Sequence, residues 1–571
     1  MQKTTKYKIY LTLTGLLFAC SLLYNCAGKH LGKNNSGEYR NGMVVSASEI
    51  ASQVGVDILK KGGNAVDAAV AVQFALAVVY PNAGNLGGGG FMVYRSAKGE
   101  TSTLDFREKA AAAANRDMYL DAAGNPIVEK SLYGQLAAGV PGSVAGMEEA
   151  HQKYGKLKWE DLVNPAVALA ANGFKLTARQ ANELNGLKNR FTKLNPLGTA
   201  LVKDTKWAAE DILVQTELAN TLRAIAKEGR KGFYEGAVAD SIVAEMQRGG
   251  GIIAKQDLIA YKAIWRKPVT GKYRGYDVVT MPPPSSGGIA LIQLLKSVEP
   301  FPLTKWGFNS DSTVQVMVEA ERRVYADRAA HLGDPDFYKV PQQKLIDDTY
   351  IKQRMSTFNW NVASTSASVS AGQIAPAEHE ETTHFSIVDR EGNAVAVTTT
   401  LNGSYGSAVV VKGAGFLLNN EMDDFSVKPG APNMYGLVGG EANAIAPGKR
   451  MLSSMTPAIL AKDGNLFMVV GTPGGSTIIT SVFQTILNVI DFNMSMQNAV
   501  NAKKIHHQWL PDEVVVENQA LDSLTTEKLK AKGYKIVPRG AIGRVDAILK
   551  TKWGYYQGGA DPRGDDKAIG W

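Results

Sequence analysis

From Met43 onward the apolar and polar positions switch between a helical and an extended period. Glu49 to Lys61 has apolar residues at helical spacing, follows Ser48 as a candidate N-cap and stops at Gly62-Gly63, which predicts a helix. Asn64 is placed to cap a second helix that runs to about Tyr80, where Pro81 ends it. That helix is apolar on nearly every face, so it must be buried. Gly87 to Gly90 leads into a short buried strand, Phe91 to Tyr94. No Lys-Ser or Lys-Thr follows these glycines, so they predict a close-packed turn and not a phosphate loop. Thr103 to Glu108 reads as a strand ending in charge, Pro282 to Gly288 as a turn that starts a helix, and Asp311 or Ser312 as the start of a long amphipathic helix to about Ala330.

Around Phe358 to Glu381 the pattern disappears into a Ser/Ala/Thr-rich stretch that reads as a solvated linker. Strand alternation resumes at once, over Thr382 to Asp389 and again over Ala394 to Thr400, with the turn residues Arg390-Glu391-Gly392-Asn393 between them. A three-residue loop with Gly392 in the left-handed region sets Thr382 opposite Thr400. A two-residue loop moves the partner to Leu401 and leaves Thr400 adjacent. Either register brings two threonine hydroxyls together where the linker meets the sheet.

Composition narrows the chemistry. The 571 residues carry a net charge of +8 with no dense basic stripe, so nucleic acid is not an expected partner. The two cysteines, Cys20 and Cys26, both precede the folded pattern, which leaves the body without a disulfide, a thiolate nucleophile or a cysteine metal site. Lys3, Lys6 and Lys8 followed by the short apolar run Ile9 to Phe18 read as a signal peptide over residues 1–26, with a polar tether over 27–42. Leu17-Phe18-Ala19-Cys20 resembles a lipoprotein cleavage box, and Cys20 suits lipidation better than Cys26; cleavage without lipidation is the alternative. The expected location is therefore exported, periplasmic or anchored by lipid to a membrane. The seven histidines are scattered and read as structural; the pair His506-His507 lacks a metal-ligand spacing.

A threonine is a weak nucleophile unless a base adjoins it, and a freed N-terminal amine with a pKa of about 7.7–8.0 can be that base. Glu381-Thr382-Thr383-His384-Phe385-Ser386, followed by Gly392 to Thr398, resembles the processing site of the γ-glutamyltranspeptidases. Leu417 to Phe425, Leu452 to Pro457, Gly471 to Ser476, Asp105 to Glu108, Pro283 to Gly288 and Tyr325 to Arg328 are similar to further motifs of that family, in the same order.

The resemblance implies an α+β fold, a four-layer αββα sandwich of the N-terminal-nucleophile type. It also implies a precursor that cuts itself between Glu381 and Thr382 into a large subunit (43–381) and a small one (382–571). It implies that Thr382 attacks γ-glutamyl donors such as glutathione, and that water or the amine of an amino acid or dipeptide acceptor resolves the γ-glutamyl-enzyme. Thr400 would orient Thr382, and the N–H groups of Gly474 and Gly475 would form the oxyanion hole. Arg107, Ser453 and Ser454 would take the donor's α-carboxylate; Glu421, Asp424 and Asn402 would take its α-ammonium, with Glu421 adding negative charge there. Pro429 to Pro447, centred on Tyr435, would be a lid. No cofactor or metal is implied. The competing readings are an acylase or poly-γ-glutamate depolymerase on the same fold, and a solute-binding lipoprotein.

Overall fold

The strand that begins at Thr383 takes its place from side-chain period alone. In a computed structural model, which describes residues 38–369, 382–428, 430 and 439–571, Thr383–Val388 pairs antiparallel with Ala394–Thr400, from Thr383 opposite Thr399 to Val388 opposite Ala394. Asp389 N donates to Asn393 O at 3.0 Å, so the loop has three residues, and Gly392 takes φ +91°, which glycine adopts without steric cost. This is the register that continues to Thr382 opposite Thr400.

Successive side chains point to opposite faces of a strand. Phe385, Ile387, Val395 and Val397 therefore face one side and pack, with Val44, Met92 and Leu104, against the helices Glu49–Lys60, Ala65–Val79, Ser143–Tyr154 and Trp159–Asn172. Val388, Ala394 and Ala396 face the other side and meet Met43, Val45, Val279, Ile459, Val469 and Ile548. The last four belong to a second sheet. Its far face, through Val278, Leu460, Met468 and Val470, packs on the helices Gly287–Val298, Asp311–His331 and Thr477–Ile490. The result is helix layer, sheet, sheet, helix layer: the αββα sandwich.

The first sheet runs Lys567–Gly570, Met43–Ser46, Thr383–Val388, Ala394–Thr400, Gly89–Arg95, Thr101–Phe106, Ile264–Arg266. Strands from before and after residue 381 are interleaved in it, Met43–Ser46 lying between two strands from after it. The second sheet likewise sets Ala458–Lys462 beside Tyr276–Thr280. A boundary at 381/382 therefore separates two halves of one hydrogen-bonded body, not two domains. The helix Ala65–Val79 is buried at all its positions and starts at a capping box in which Asn64 Oδ1 accepts from Val66 N and Asp67 N while Asp67 accepts from Asn64 N. Arg107 and Glu108 lie just beyond the strand that ends at Phe106, and the long helix opens at Ser310, whose hydroxyl caps Thr313 N.

One expectation needs correction. The stretch from Phe358 is not a uniformly solvated linker. Ser366 and Val369 are buried, because Trp509 Nε1 donates to both of their carbonyls at 3.0 Å and Asp512 accepts from Ser366 N at 2.7 Å. Cys20, Cys26, the tether up to residue 37, Glu381 and Tyr435 lie outside the described residues. Among the described residues no helix is long and apolar enough to cross a membrane.

Three histidines are locked into this interior. His384, between the sheets, pairs with Thr398 Oγ1 at 2.8 Å and Ser386 Oγ at 3.0 Å; His506 pairs with Thr480 Oγ1 at 2.8 Å, and His507 accepts from Trp509 N at 3.1 Å. Burial pushes their pKa values from 6.5 down to about 3, 3 and 4. Protonation therefore favours the unfolded chain. Their stabilisation is complete above about pH 6.5 and is lost as pH falls below it, at up to about 1.4 kcal/mol per pH unit for each ring. The urea midpoint should fall between about pH 7 and pH 5. His384→Gln, which retains polar partners for Thr398 and Ser386, should make that fall shallower; an unchanged pH dependence would mean that His384 is not held neutral.

Candidate functional site

Thr382, His384, Ser386 and Val388 share the inter-sheet face of their strand, so Thr382 projects at the open end of the sandwich. Its Oγ1 lies 3.3 Å from Thr400 Oγ1, and Thr400 Oγ1 accepts from Asn402 N at 2.7 Å. The amide occupies one lone pair of Thr400 and leaves its hydrogen and second lone pair for Thr382, so either hydroxyl can be the donor between them. Thr382 is almost fully buried, and so is its partner. His384 is two residues away, but its ring nitrogens are committed to Thr398 and Ser386.

The same cavity is lined by Arg107, Asn402, Glu421, Asp424, Ser453, Ser454 and Gly475. Segments far apart in sequence thus converge on one place. Asn402, at φ +73°, sends Nδ2 to Asn420 O at 3.0 Å, while Asn420 N donates to Leu401 O at 2.9 Å. These two bonds fix the short turn Glu421–Asp424 against the end of the Thr400 strand. Gly474 and Gly475 take φ +134° and +49° immediately before the helix Thr477–Ile490. A side chain would be strained in that backbone, and neither N–H donates to a described residue. Two N–H groups beside a helix N-terminus form a ready receptor for negative charge.

Electrostatics is concentrated at Arg107. Fully buried, its guanidinium pairs with Glu421 and Asp424, lies 3.5 Å from Glu108 Oε2, and donates through Nη2 to Leu452 O at 3.2 Å. Burial works against the charge, yet Glu421, Asp424 and Glu108 together raise the Arg107 pKa above its ordinary value. Burial in turn pushes Glu421 well above the carboxylate range, lifts Asp424, and brings Glu108 to about 7, in each case against the pull of Arg107. This departs from the sequence expectation. Glu421 is engaged with Arg107 and is driven toward its neutral form, so it does not simply add negative charge.

Three residues at the site had no role assigned from sequence. Glu108 is the third carboxylate on Arg107. Asn443 donates to Asp424 O at 2.7 Å and accepts from Leu452 N at 2.9 Å, linking the two recognition segments. Arg328 lines the cavity from the long helix and holds Ser286 and Ser454. Glu108 and Arg328 belong to the motifs quoted above, but nothing in their spacing shows which way they point. Tyr435 and Glu381 are outside the described residues, and of the lid segment only Gly430 and residues from Gly439 are described.

The model of the gamma-glutamyltranspeptidase family matches residues 51–571. The chain is 49% identical to the glutathione hydrolase proenzyme of Escherichia coli (strain K12) over 93% of its own length and 92% of the relative's. To an acylase ACY 1 proenzyme of Pseudomonas sp. (strain SE83) it is 35% identical, over 92% and 93% of the two chains. Among solved structures, a cephalosporin acylase from Bacillus halodurans superposes with a TM-score of 0.83 at 27% identity, covering 95% of this chain and 97% of that one. The Helicobacter pylori γ-glutamyltranspeptidase does so at 0.57 and 44%, covering 60% and 97%. A match across nearly the whole chain, with the paired threonines, Gly475 and the ion pairs of Arg107 with Glu421 and Asp424 in one cavity, places this protein in the γ-glutamyltranspeptidase family.

Proposed function

We propose that the protein is a self-processing γ-glutamyltransferase and glutathione hydrolase in which Thr382 is the nucleophile of both reactions. The observation that carries this is the hydroxyl-to-hydroxyl contact between Thr400 and Thr382 in the cavity that also holds Arg107, Glu421 and Asp424. In maturation, Thr382 Oγ1 attacks the carbonyl carbon of Glu381, and the C–N bond between the two residues breaks to leave an ester. Water opens the ester, giving the Glu381 carboxylate and the free amine of Thr382. In turnover that amine accepts the hydroxyl proton as Oγ1 attacks the γ-carbonyl. The N–H groups of Gly474 and Gly475 stabilise the oxyanion, the amine returns the proton to the leaving nitrogen, and a γ-glutamyl ester remains. Water yields glutamate; the amine of an amino acid or dipeptide yields a new γ-glutamyl amide.

The head group of the donor is a zwitterion, and the empty site is built as its mirror image. Arg107 and Asp424 already satisfy each other. When the donor enters, its ammonium takes over Asp424 and Glu421, and its carboxylate takes the released edge of Arg107 with the hydroxyls of Ser453 and Ser454. Pairs within the protein are exchanged for pairs with the donor, so neither Arg107 nor Asp424 is left without an opposite charge. The acylase relatives share less identity than the hydrolases, and a head-group site of opposed charges suits a small amino acid end. Tyr435 and the segment around it would then close over a donor of glutathione size. The leader would export the protein, with Cys20 as the site of lipid attachment.

Purified wild type should run as two fragments on a denaturing gel, the smaller beginning at Thr382, while Thr382→Ala should remain one inactive chain. Thr400→Val, which keeps shape and removes the hydroxyl, should slow self-cleavage and lower turnover by roughly ten- to a hundredfold. Another N-terminus would remove Thr382 from its role.

Arg107→Lys keeps the charge but loses the bidentate fork, so the Michaelis constant for γ-glutamyl donors should rise about tenfold or more, equivalent to about 1.4 kcal/mol. Arg107→Met strands the carboxylates around it and should cost about 3–5 kcal/mol in a denaturation series. Equal stability of wild type and Arg107→Met would show that the cluster is not held by its ion pairs.

The acidic limb of turnover over Michaelis constant should persist in His384→Gln, with a midpoint of about pH 6.5–8.5, because the base is an amine with an ordinary pKa of about 7.7–8.0. Loss of the limb in a variant that still self-cleaves would make His384 the base.

A further inference from the structure

Two guanidinium groups face the cavity, and their surroundings differ. Arg107 is matched by Glu421, Asp424 and Glu108. Arg328, near the end of the helix Asp311–His331, is also buried, yet among the described residues no carboxylate lies within ion-pair distance of it. Its chain neighbour Asp327 is turned to Arg354 at 3.1 Å and to Gln293 at 3.0 Å. Burial pushes the Arg328 pKa down, with only partial compensation from Tyr325 and Asp424, but a guanidinium starts so high that it keeps its charge.

What Arg328 holds instead is hydroxyl groups. Its Nε donates to Ser286 Oγ at 2.9 Å, and Ser286 Oγ donates onward to Ser453 O at 2.6 Å. Its Nη2 donates to Ser454 Oγ at 3.0 Å. A guanidinium offers donors and no acceptor, so Ser454 Oγ can only accept in that bond. The hydroxyl hydrogen of Ser454 must then point elsewhere, and Ser454 lines the cavity. Ser453 is arranged in parallel: its Oγ accepts from Met455 N at 3.2 Å. Both serines commit lone pairs to the protein and keep a hydrogen to give.

We infer that Arg328 is a positioning residue for recognition of the donor's α-carboxylate. It holds Ser454 Oγ so that the hydroxyl hydrogen is left to give, steadies Ser453 through Ser286, and supplies positive charge with no carboxylate of the described residues within ion-pair distance. The inference rests on the γ-glutamyl reading above and deepens it. Arg107 must be exchanged away from acidic partners before it can bind a carboxylate, so its charge alone discriminates weakly between an anionic head group and a neutral one. Arg328 makes the discrimination. An α-carboxamide carries no negative charge and offers one acceptor oxygen where the carboxylate offers two, so it is held less well at the same point.

The test is a comparison of two γ-glutamyl anilide donors, one with a free α-carboxylate and one with an α-carboxamide, on the mature enzyme and on Arg328→Met and Arg328→Lys. Wild type should prefer the carboxylate donor. Arg328→Met should raise the Michaelis constant for that donor about tenfold or more, change turnover by no more than about threefold, and reduce the preference over the carboxamide by a similar factor. Arg328→Lys, which restores charge and one donor, should recover part of the preference. Ser454→Ala placed on Arg328→Met should add little further loss, because both changes remove the same hydrogen bond. An equal loss on both donors, or additive losses with Ser454→Ala, would overturn the inference and leave Arg328 a packing residue. Should Arg328→Met fail to self-cleave, Arg328→Lys decides alone: preference and Michaelis constant at wild-type values together with intact self-cleavage would overturn the inference if Ser454→Ala still loses the preference. A wild type that turns over neither donor would instead sink the γ-glutamyl reading itself.

Discussion

The hairpin formed by Thr383–Val388 and Ala394–Thr400 is the constraint on which the remaining geometry hangs, because a strand offers only two faces. Its apolar positions fill both the helix-facing core and the inter-sheet core, so a slip of one residue would turn Phe385 and Ile387 out of the first and His384 and Ser386 out of the second. Such a slip is excluded by packing. Thr382 and Thr400 inherit that certainty. They sit at the ends of strands whose interiors cannot move, with Gly392 closing the only loop that suits the register. Thr382, the proposed nucleophile, is thus placed by apolar contacts several residues away, at the end of a paired strand.

The recognition half of the site follows a different rule, that of charge balance in a buried space. A guanidinium this deep would be untenable without partners, and an isolated carboxylate would take up a proton. Arg107, Glu108, Glu421 and Asp424 solve the problem for one another while the cavity is empty. That same arrangement suits a zwitterion, since a ligand that carries both charges can replace internal pairs by external ones. A ligand with only one charge would leave a group stranded. The proposed selectivity for an amino acid head group would in this sense be a by-product of the ion pairs that stabilise the buried cluster.

Interleaving of the two halves means that the proposed cut beside Thr382 would leave the fold held together. Met43–Ser46 lies between Thr383–Val388 and Lys567–Gly570, and Gly89–Arg95 lies against Ala394–Thr400. Cleavage at 381/382 would break one covalent bond but none of these ladders. Trp509 and Asp512 also grip Ser366 and Val369, so the segment that leads out of the large half stays docked on the small one.

How much of this was legible without coordinates depended on the range of the interaction. Local pattern was enough for the hairpin, for the Asn64 cap and for the all-apolar helix after it, because each is set by periodicity and backbone sterics within a dozen residues. The turn expected over Gly87 to Gly90 is not one: Gly89 and Gly90 already belong to the strand Gly89–Arg95 and lie against Thr400 and Thr399. Motif resemblance supplied the names Arg107, Asn402, Glu421, Asp424, Ser453, Ser454, Gly474 and Gly475. It could not say that Arg107 rests on the acidic pair, that Glu108 completes the cluster, or that Arg328 reaches Ser454 from another helix. It also missed the burial of Ser366 and Val369, since a Ser/Ala-rich stretch has no periodicity and its partners come from residues more than a hundred positions away. The sequence by itself determined which elements form and which residues carry chemistry. The tertiary structure alone decided which of those charges and hydroxyls face one another, because burial and hydrogen-bond direction depend on what packs behind a side chain and not on where it lies in the chain.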